Sequence, residues 1–153
     1  MKLTSYTDYA LRCLQFAALH TPSLVRVEDI SRAHGISRPH VVKAVHQLGR
    51  DGFLETRRGR NGGFQLAIPA DQITVGSVVR TTETGFNIAE CFDRETNTCP
   101  LIDACGLSRT LNRAVSAFLD VLDATTIADI TMNPKTLLDR LEPEVGMRAQ
   151  DVA

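Results

Sequence analysis

The 153-residue chain has no stretch approaching the roughly 18 apolar residues that a membrane-spanning helix requires. Its opening, Met1 to Tyr6, lacks the continuous apolar core of a secretory signal, so no membrane partner and a cytoplasmic location are expected. Net charge is nearly absent, at −1, and by itself names no partner. There is no internal repeat and no low-complexity run. No nucleophile is patterned with a general base, and there is neither a phosphate loop nor a carboxylate dyad, so an enzyme is not expected. What remains, 43% hydrophobic and 23% charged, is the composition of a globular domain, alone or with a small appendage.

The small net charge hides an uneven distribution. Between Arg38 and Arg60 lie Arg38, Lys43, Arg50, Arg57, Arg58 and Arg60 against Asp51 and Glu55. That window carries +4 and leaves −5 for the rest of the chain. A local basic island is the electrostatic footprint of an anion-binding face, such as one for double-stranded DNA.

Thr4 or Ser5 caps a first helix running to about His20, with Leu11, Leu14 and Ala18 on its apolar face. Val27 to His34 reads as a second helix stopped by Gly35, and Ser37 caps a third from Arg38 to about Asp51. The third carries apolar residues at Val41, Val42, Val45 and Leu48. Two strand-like runs, Phe53–Thr56 and Phe64–Ala67, flank the turn-rich tip from Arg57 to Gly63. A further helix from Thr74 to about Glu83 closes a unit over 1–83. The segment 84–106 has no clear periodicity. Gly106 to Asp123 forms a long helix whose wide stripe, Leu107, Leu111, Ala114, Val115, Phe118, Leu119 and Leu122, calls for a partner helix. Thr126 to Ile130 starts a short helix and Pro134 marks a break, within a unit over 107–141. The tail, 142–153, is expected to be flexible. The fold class is mainly α with a small β-hairpin wing, a winged helix-turn-helix plus a long dimerisation helix.

In such a domain the start of the third helix enters the major groove, which makes Ser37, Arg38, Pro39, His40 and Lys43 the candidate readers. Arg38 suits a guanine, and Pro39 in the first turn costs little because its missing N–H would be unpaired there anyway. In the wing, Arg58, Gly59, Arg60 and Asn61 combine close backbone approach with guanidinium groups that favour a narrow minor groove. His46, farther along the helix, is read as a surface residue.

Three of the four cysteines fall within fifteen residues, as Cys91, Cys99 and Cys105. In a cytosolic chain such clustering points to metal, cluster or redox chemistry rather than disulfides. The spacing is not the paired pattern of zinc ribbons, and all four histidines (His20, His34, His40, His46) lie in the first third of the chain. Iron–sulfur and zinc chemistry both remain open, each with a fourth ligand to be found. Cys13, beside Leu14 and Ala17, reads as a small core residue.

Together, Leu3 to Arg12, Gly35-Ile36-Ser37, Arg57 to Gly63 and the cysteine trio resemble the dimeric winged-helix iron–sulfur regulators that include IscR, NsrR and RirA. The likeness extends to about Leu141. Thr7-Asp8-Tyr9-Ala10-Leu11-Arg12 and the helix from Ser37 to Lys43 are most similar to the NsrR-type, nitric-oxide-sensing repressors. The loop Cys99-Pro100-Leu101-Ile102-Asp103-Ala104-Cys105 is also similar to the iron-responsive RirA type. The resemblance implies a homodimer on a palindromic operator. It implies a cluster, [4Fe-4S] or alternatively [2Fe-2S], on Cys91, Cys99 and Cys105, with Asp8 of the other subunit as fourth ligand. A zinc-stabilised DNA-binding module is the competing reading.

Overall fold

The computed structural model describes residues 2–102 and 104–142. Helix α1 spans Ser5–His20, with Thr4 as its cap: the Thr4 Oγ1 accepts from the Thr7 N–H at 3.3 Å. One face of α1 is wholly buried through Ala10, Cys13, Leu14, Phe16 and Ala17. The Thr21-Pro22 pair ends the helix, since a residue before proline is pushed out of the helical region.

Helix α2 (Val27–His34) stops at Gly35, which adopts φ 63° and so turns the chain left-handed where a side chain would be strained. Helix α3 (Arg38–Arg50) then crosses α1 and buries Val41, Ala44, Val45 and Leu48. Val42, grouped above with the apolar positions, is instead 45% exposed. At about 100° per residue it falls outside the stripe that Ala44 completes.

Strands β1 (Leu54–Arg57) and β2 (Gly63–Leu66) pair antiparallel, with Leu54 opposite Leu66 and Arg57 opposite Gly63. Each begins one residue away from its expected start. Val25 adds a rung from the other side, exchanging two 2.9 Å bonds with Phe64, whose buried ring seats the hairpin on the core. The wing is therefore anchored to the segment leading into α2.

Helix α4 (Val75–Thr82) is capped by Thr74 and buries Val75, Val78 and Val79. Helix α5 (Gly106–Asp123) leaves the body of the chain with none of its residues buried. Its foot is tied to α4 by the Arg80–Asp123 pair, Nη2 to Oδ2 at 2.6 Å. The chain then returns through Ile127, which is fully buried and bonds the Ile73 carbonyl at 2.8 Å. The short helix expected from Thr126 is a single 3-10 turn at Asp129–Thr131. Pro134 separates it from helix α6 (Pro134–Leu141), whose first turn tolerates a missing N–H. Glu142 meets His20 at 3.0 Å at the far end of α1. The rest of the expected flexible tail, 143–153, lies outside the described residues. No helix among the described residues is long and apolar enough to cross a membrane.

Candidate nucleic-acid interface and cysteine loop

The face of α3 opposite the core is a row of exposed side chains: Ser37, Arg38, Pro39, His40, Val42, Lys43 and His46. Ser37 occupies the cap position, but its hydroxyl does not cap the helix; it lies 2.8 Å from His40 Nδ1. Two tyrosines of α1 reach this row. The Tyr9 ring lies 5.5 Å from the His40 ring, and Lys43 Nζ sits 5.2 Å from the centre of Tyr6. Arg38 is held by Glu28 of α2, Nε to Oε1 at 2.8 Å. Val42 is an interface candidate that periodicity hid, because an exposed valine between His40 and Lys43 suits a thymine methyl.

The wing tip presents Arg57, Arg58, Gly59, Arg60 and Asn61, all exposed. Arg57 pairs with Glu55 at 3.3 Å, whereas Arg58 and Arg60 make no ion pair among the described residues. A Cβ on Gly62 would collide with the carbonyl oxygens of Arg57 and Gly59, so the tip closes only around glycine. A concavity of about 390 Å³ separates the wing from α3, with Arg26, Arg38, Arg57 and Arg60 on its walls. Helix α3 and the wing thus lie on one side of the molecule, with four arginines between them, an arrangement that suits a duplex backbone.

The cysteines occupy the segment between α4 and α5. Cys91 sits in a 3-10 turn (Glu90–Phe92), Cys99 follows Asn97 and Thr98, and Cys105 holds the cap position of α5. All three are half-exposed free thiols. Glu90 accepts from the Thr98 N–H at 2.6 Å and from its hydroxyl at 2.7 Å, clasping together the residues that precede Cys91 and Cys99. Those two bonds hold the Glu90 carboxyl below its usual range, and sequence reading missed the clasp. Cys105 leaves the first N–H groups of α5 without a side-chain cap, a setting that favours negative charge.

Among the described residues, no three His, Cys, Asp or Glu side chains converge on a single-ion site. The loop offers three half-exposed thiols and no imidazole, a donor set compatible with a thiolate-bound cluster. Cys13 is of another kind, wholly buried, with its thiol pushed up to about 12 by desolvation.

Asp8 stands in the first turn of α1, half-exposed, and grips Arg12 through both oxygens at 3.2 and 3.0 Å. Among the described residues it joins no group of three potential metal ligands. Glu83, at the end of α4 where the cysteine segment begins, accepts from the Thr4 N–H at 2.8 Å and also from the Thr7 hydroxyl. Burial raises the Glu83 pKa, but these bonds outweigh it and hold the carboxyl below its usual range. The start of α1 is therefore fastened to the root of the cysteine loop.

Residues 3–133 match the family described as Rrf2, iron-dependent transcriptional regulator. The HTH-type transcriptional regulator NsrR of Bacillus licheniformis is 49% identical over 134 residues, covering 87% of this chain and 94% of the relative. That of Bacillus subtilis is 43% identical over 143 residues, covering 93% and 98%. Among solved structures, CymR (YrzC), the global cysteine regulator of B. subtilis, superimposes with a TM-score of 0.72 at 25% identity, over 86% of this chain and 97% of that one. IscR of T. potens shares the fold, with a TM-score of 0.70 at 21% identity over 87% and 88%.

Proposed function

The chain belongs to the Rrf2 family of iron-dependent transcriptional regulators, and on that premise we propose that it is a homodimeric repressor whose grip on DNA is set by an iron–sulfur cluster that senses nitric oxide. It is a transcriptional regulator, not an enzyme. The observation that carries the cluster reading is the trio of accessible thiols on one clasped loop, joined to a basic face through α1. Its relatives' name supports the signal: NsrR regulators match at 49% and 43% identity over most of the chain.

In this reading Cys91, Cys99 and Cys105 hold the cluster, and Asp8 of the partner subunit supplies the fourth ligand. A bound cluster, [4Fe-4S] in this reading, contributes an iron centre open to nitric oxide. Asp8 suits a releasable role because a carboxylate is a harder ligand than thiolate and because Arg12 offers it an alternative partner. That exposed ion pair is worth little by itself, so Asp8 can exchange between the two. Movement of Asp8 is movement of α1, and α1 carries Tyr6 and Tyr9 against Lys43 and His40. Ser37, Arg38, Pro39, His40 and Lys43 read the major groove. Arg58, Gly59, Arg60 and Asn61 reach for the minor groove. The half-exposed stripe on α5 supports a two-fold dimer and hence a palindromic operator.

The test is spectroscopy of anaerobically purified protein with operator binding followed in parallel. A brown protein whose absorption and DNA affinity are both lost on stoichiometric nitric oxide supports the reading. Loss only with an iron chelator transfers it to the RirA-like, iron-responsive type, which the loop from Cys99 to Cys105 favours. A colourless zinc protein overturns it.

A further inference from the structure

The concavity between α3 and the wing offers four guanidinium groups, from Arg26, Arg38, Arg57 and Arg60, and a single carboxylate, Glu28. On a face that must approach phosphates an acid is repulsive, so its presence needs a compensating use. Its geometry supplies one. Glu28 Oε1 accepts from Arg38 Nε at 2.8 Å, and among the described residues Arg38 makes no other side-chain bond. Nε lies on the inner edge of the guanidinium. A bond there leaves both terminal amino groups without a side-chain partner among the described residues, and these groups can fork onto O6 and N7 of guanine. The pair is too exposed, at 68% and 51%, to matter for stability. A side chain restrained before DNA arrives does, however, lose less freedom on binding.

We propose that Glu28 is a specificity-determining positioning residue, holding Arg38 by its Nε edge so that its terminal amino groups meet one guanine in each half-site. This rests on the DNA-reading role given to Arg38 above. The Glu28 carboxyl is itself well placed for the task. A bond from its own backbone N–H and the bond from Arg38 hold it below its usual range, so it stays charged.

The experiment uses full-length, cluster-loaded protein and a pool of duplexes with a randomised core. Bound DNA is sequenced for the parent, Glu28→Gln and Arg38→Ala, and thermal unfolding is measured for each. The expected result is that Arg38→Ala loses the preference for one guanine. Glu28→Gln should lose about ten-fold in preference at that same base. Its affinity for unselected DNA should be equal or higher, because a repulsive charge has gone, and its melting temperature should be unchanged. If Glu28→Gln keeps the full preference while Arg38→Ala loses it, the positioning role is overturned and Arg38 stands as a reader. If Arg38→Ala keeps every preference, the reading of Arg38 falls and the inference falls with it. A Glu28→Gln protein that weakens equally on all sequences with a lowered melting temperature makes Glu28 an ordinary helix-start acid and also overturns the proposal.

Discussion

The Tyr9 ring of α1 lies 5.5 Å from the His40 ring of α3 at an inclination of 32°, and His40 Nδ1 lies 2.8 Å from the Ser37 hydroxyl. Tyr9 follows Asp8 directly, so one turn of α1 carries both a candidate cluster ligand and the ring that steadies a candidate base reader. In the same turn Tyr6 lies under Lys43. Whatever tilts α1 also disturbs the exposed row of α3.

The coupling is measurable. Tyr9→Leu and His40→Ala should each weaken operator binding several-fold, and the double variant should weaken it by less than the product. An aromatic pair of this kind is worth about 0.5–1.5 kcal/mol, so a double-mutant cycle on affinity should return a coupling of that size. Strict additivity in fluorescence anisotropy would separate α1 from the reading face.

The wing makes a different demand. Arg58 has no ion-pair partner among the described residues and projects from an exposed tip. If it displaces a counterion from the duplex, Arg58→Ala should lower the slope of log K against log salt by about 0.9 while leaving sequence preference nearly intact. An unchanged slope across a salt titration would remove the wing from the interface.

Helix α5 holds no buried residue in the single chain, although Leu111, Val115, Phe118, Leu119 and Leu122 recur along one side. Burying such a stripe against a second copy is the ordinary resolution. Leu111→Arg should therefore convert a dimer to a monomer in sedimentation at micromolar concentration. It should also weaken binding to a full operator far more than to a half-site.

The four cysteines divide into two chemical kinds. Thiolate is the reactive form, and Cys13, pushed up to about 12 by burial, has almost none near neutral pH. In native, cluster-free protein a disulfide reagent at mildly alkaline pH should therefore titrate the three loop thiols promptly and spare Cys13. All four should react once denaturant opens α1. Four fast thiols in the native protein would contradict the packing of α1.

Much of this was legible in the sequence, for physical reasons that differ by element. Thr4 and Gly35 mark helix ends because each satisfies a backbone need that only a few residue types meet, and Ser37, read as the cap of the third helix, occupies the cap position without a side-chain bond to the helix. The helices they bound lie within one residue of the positions read from them. The wing follows from its glycines, and the cysteine trio from its spacing. What escaped was relational. Val42 groups with Val41 and Val45 as an apolar position, but Ala44 completes the stripe buried against the core and leaves Val42 outside it. Glu28, Glu83 and Glu90 look like surface acids in a linear reading. Their partners Arg38, Thr4 and Thr98 lie 10, 79 and 8 residues away, and only the fold brings each pair together.

The decisive prediction concerns control. Under strict anaerobiosis, Cys99→Ala should lose the cluster and tight specific DNA binding together, because it removes one of three thiolates on a loop without histidine. Asp8→Ala should behave otherwise. All three thiolates remain, so a cluster should persist with an altered spectrum and altered reactivity toward nitric oxide. Arg12, freed from its 3.0 Å pair with Asp8, should leave the melting temperature nearly unchanged, since an exposed pair contributes little. Operator affinity of Asp8→Ala should fall toward that of Cys99→Ala even while its cluster is intact, because α1 has lost its direct tie to the cluster. The two variants thus separate holding the cluster from reporting on it. Should Cys99→Ala bind operator as tightly as the parent, the cluster does not govern DNA binding in this direction, and repression by the cluster-free form becomes the better account. Should Asp8→Ala match the parent in spectrum, reactivity and affinity, Asp8 is only a first-turn acid stabilising α1, and another group must complete the centre.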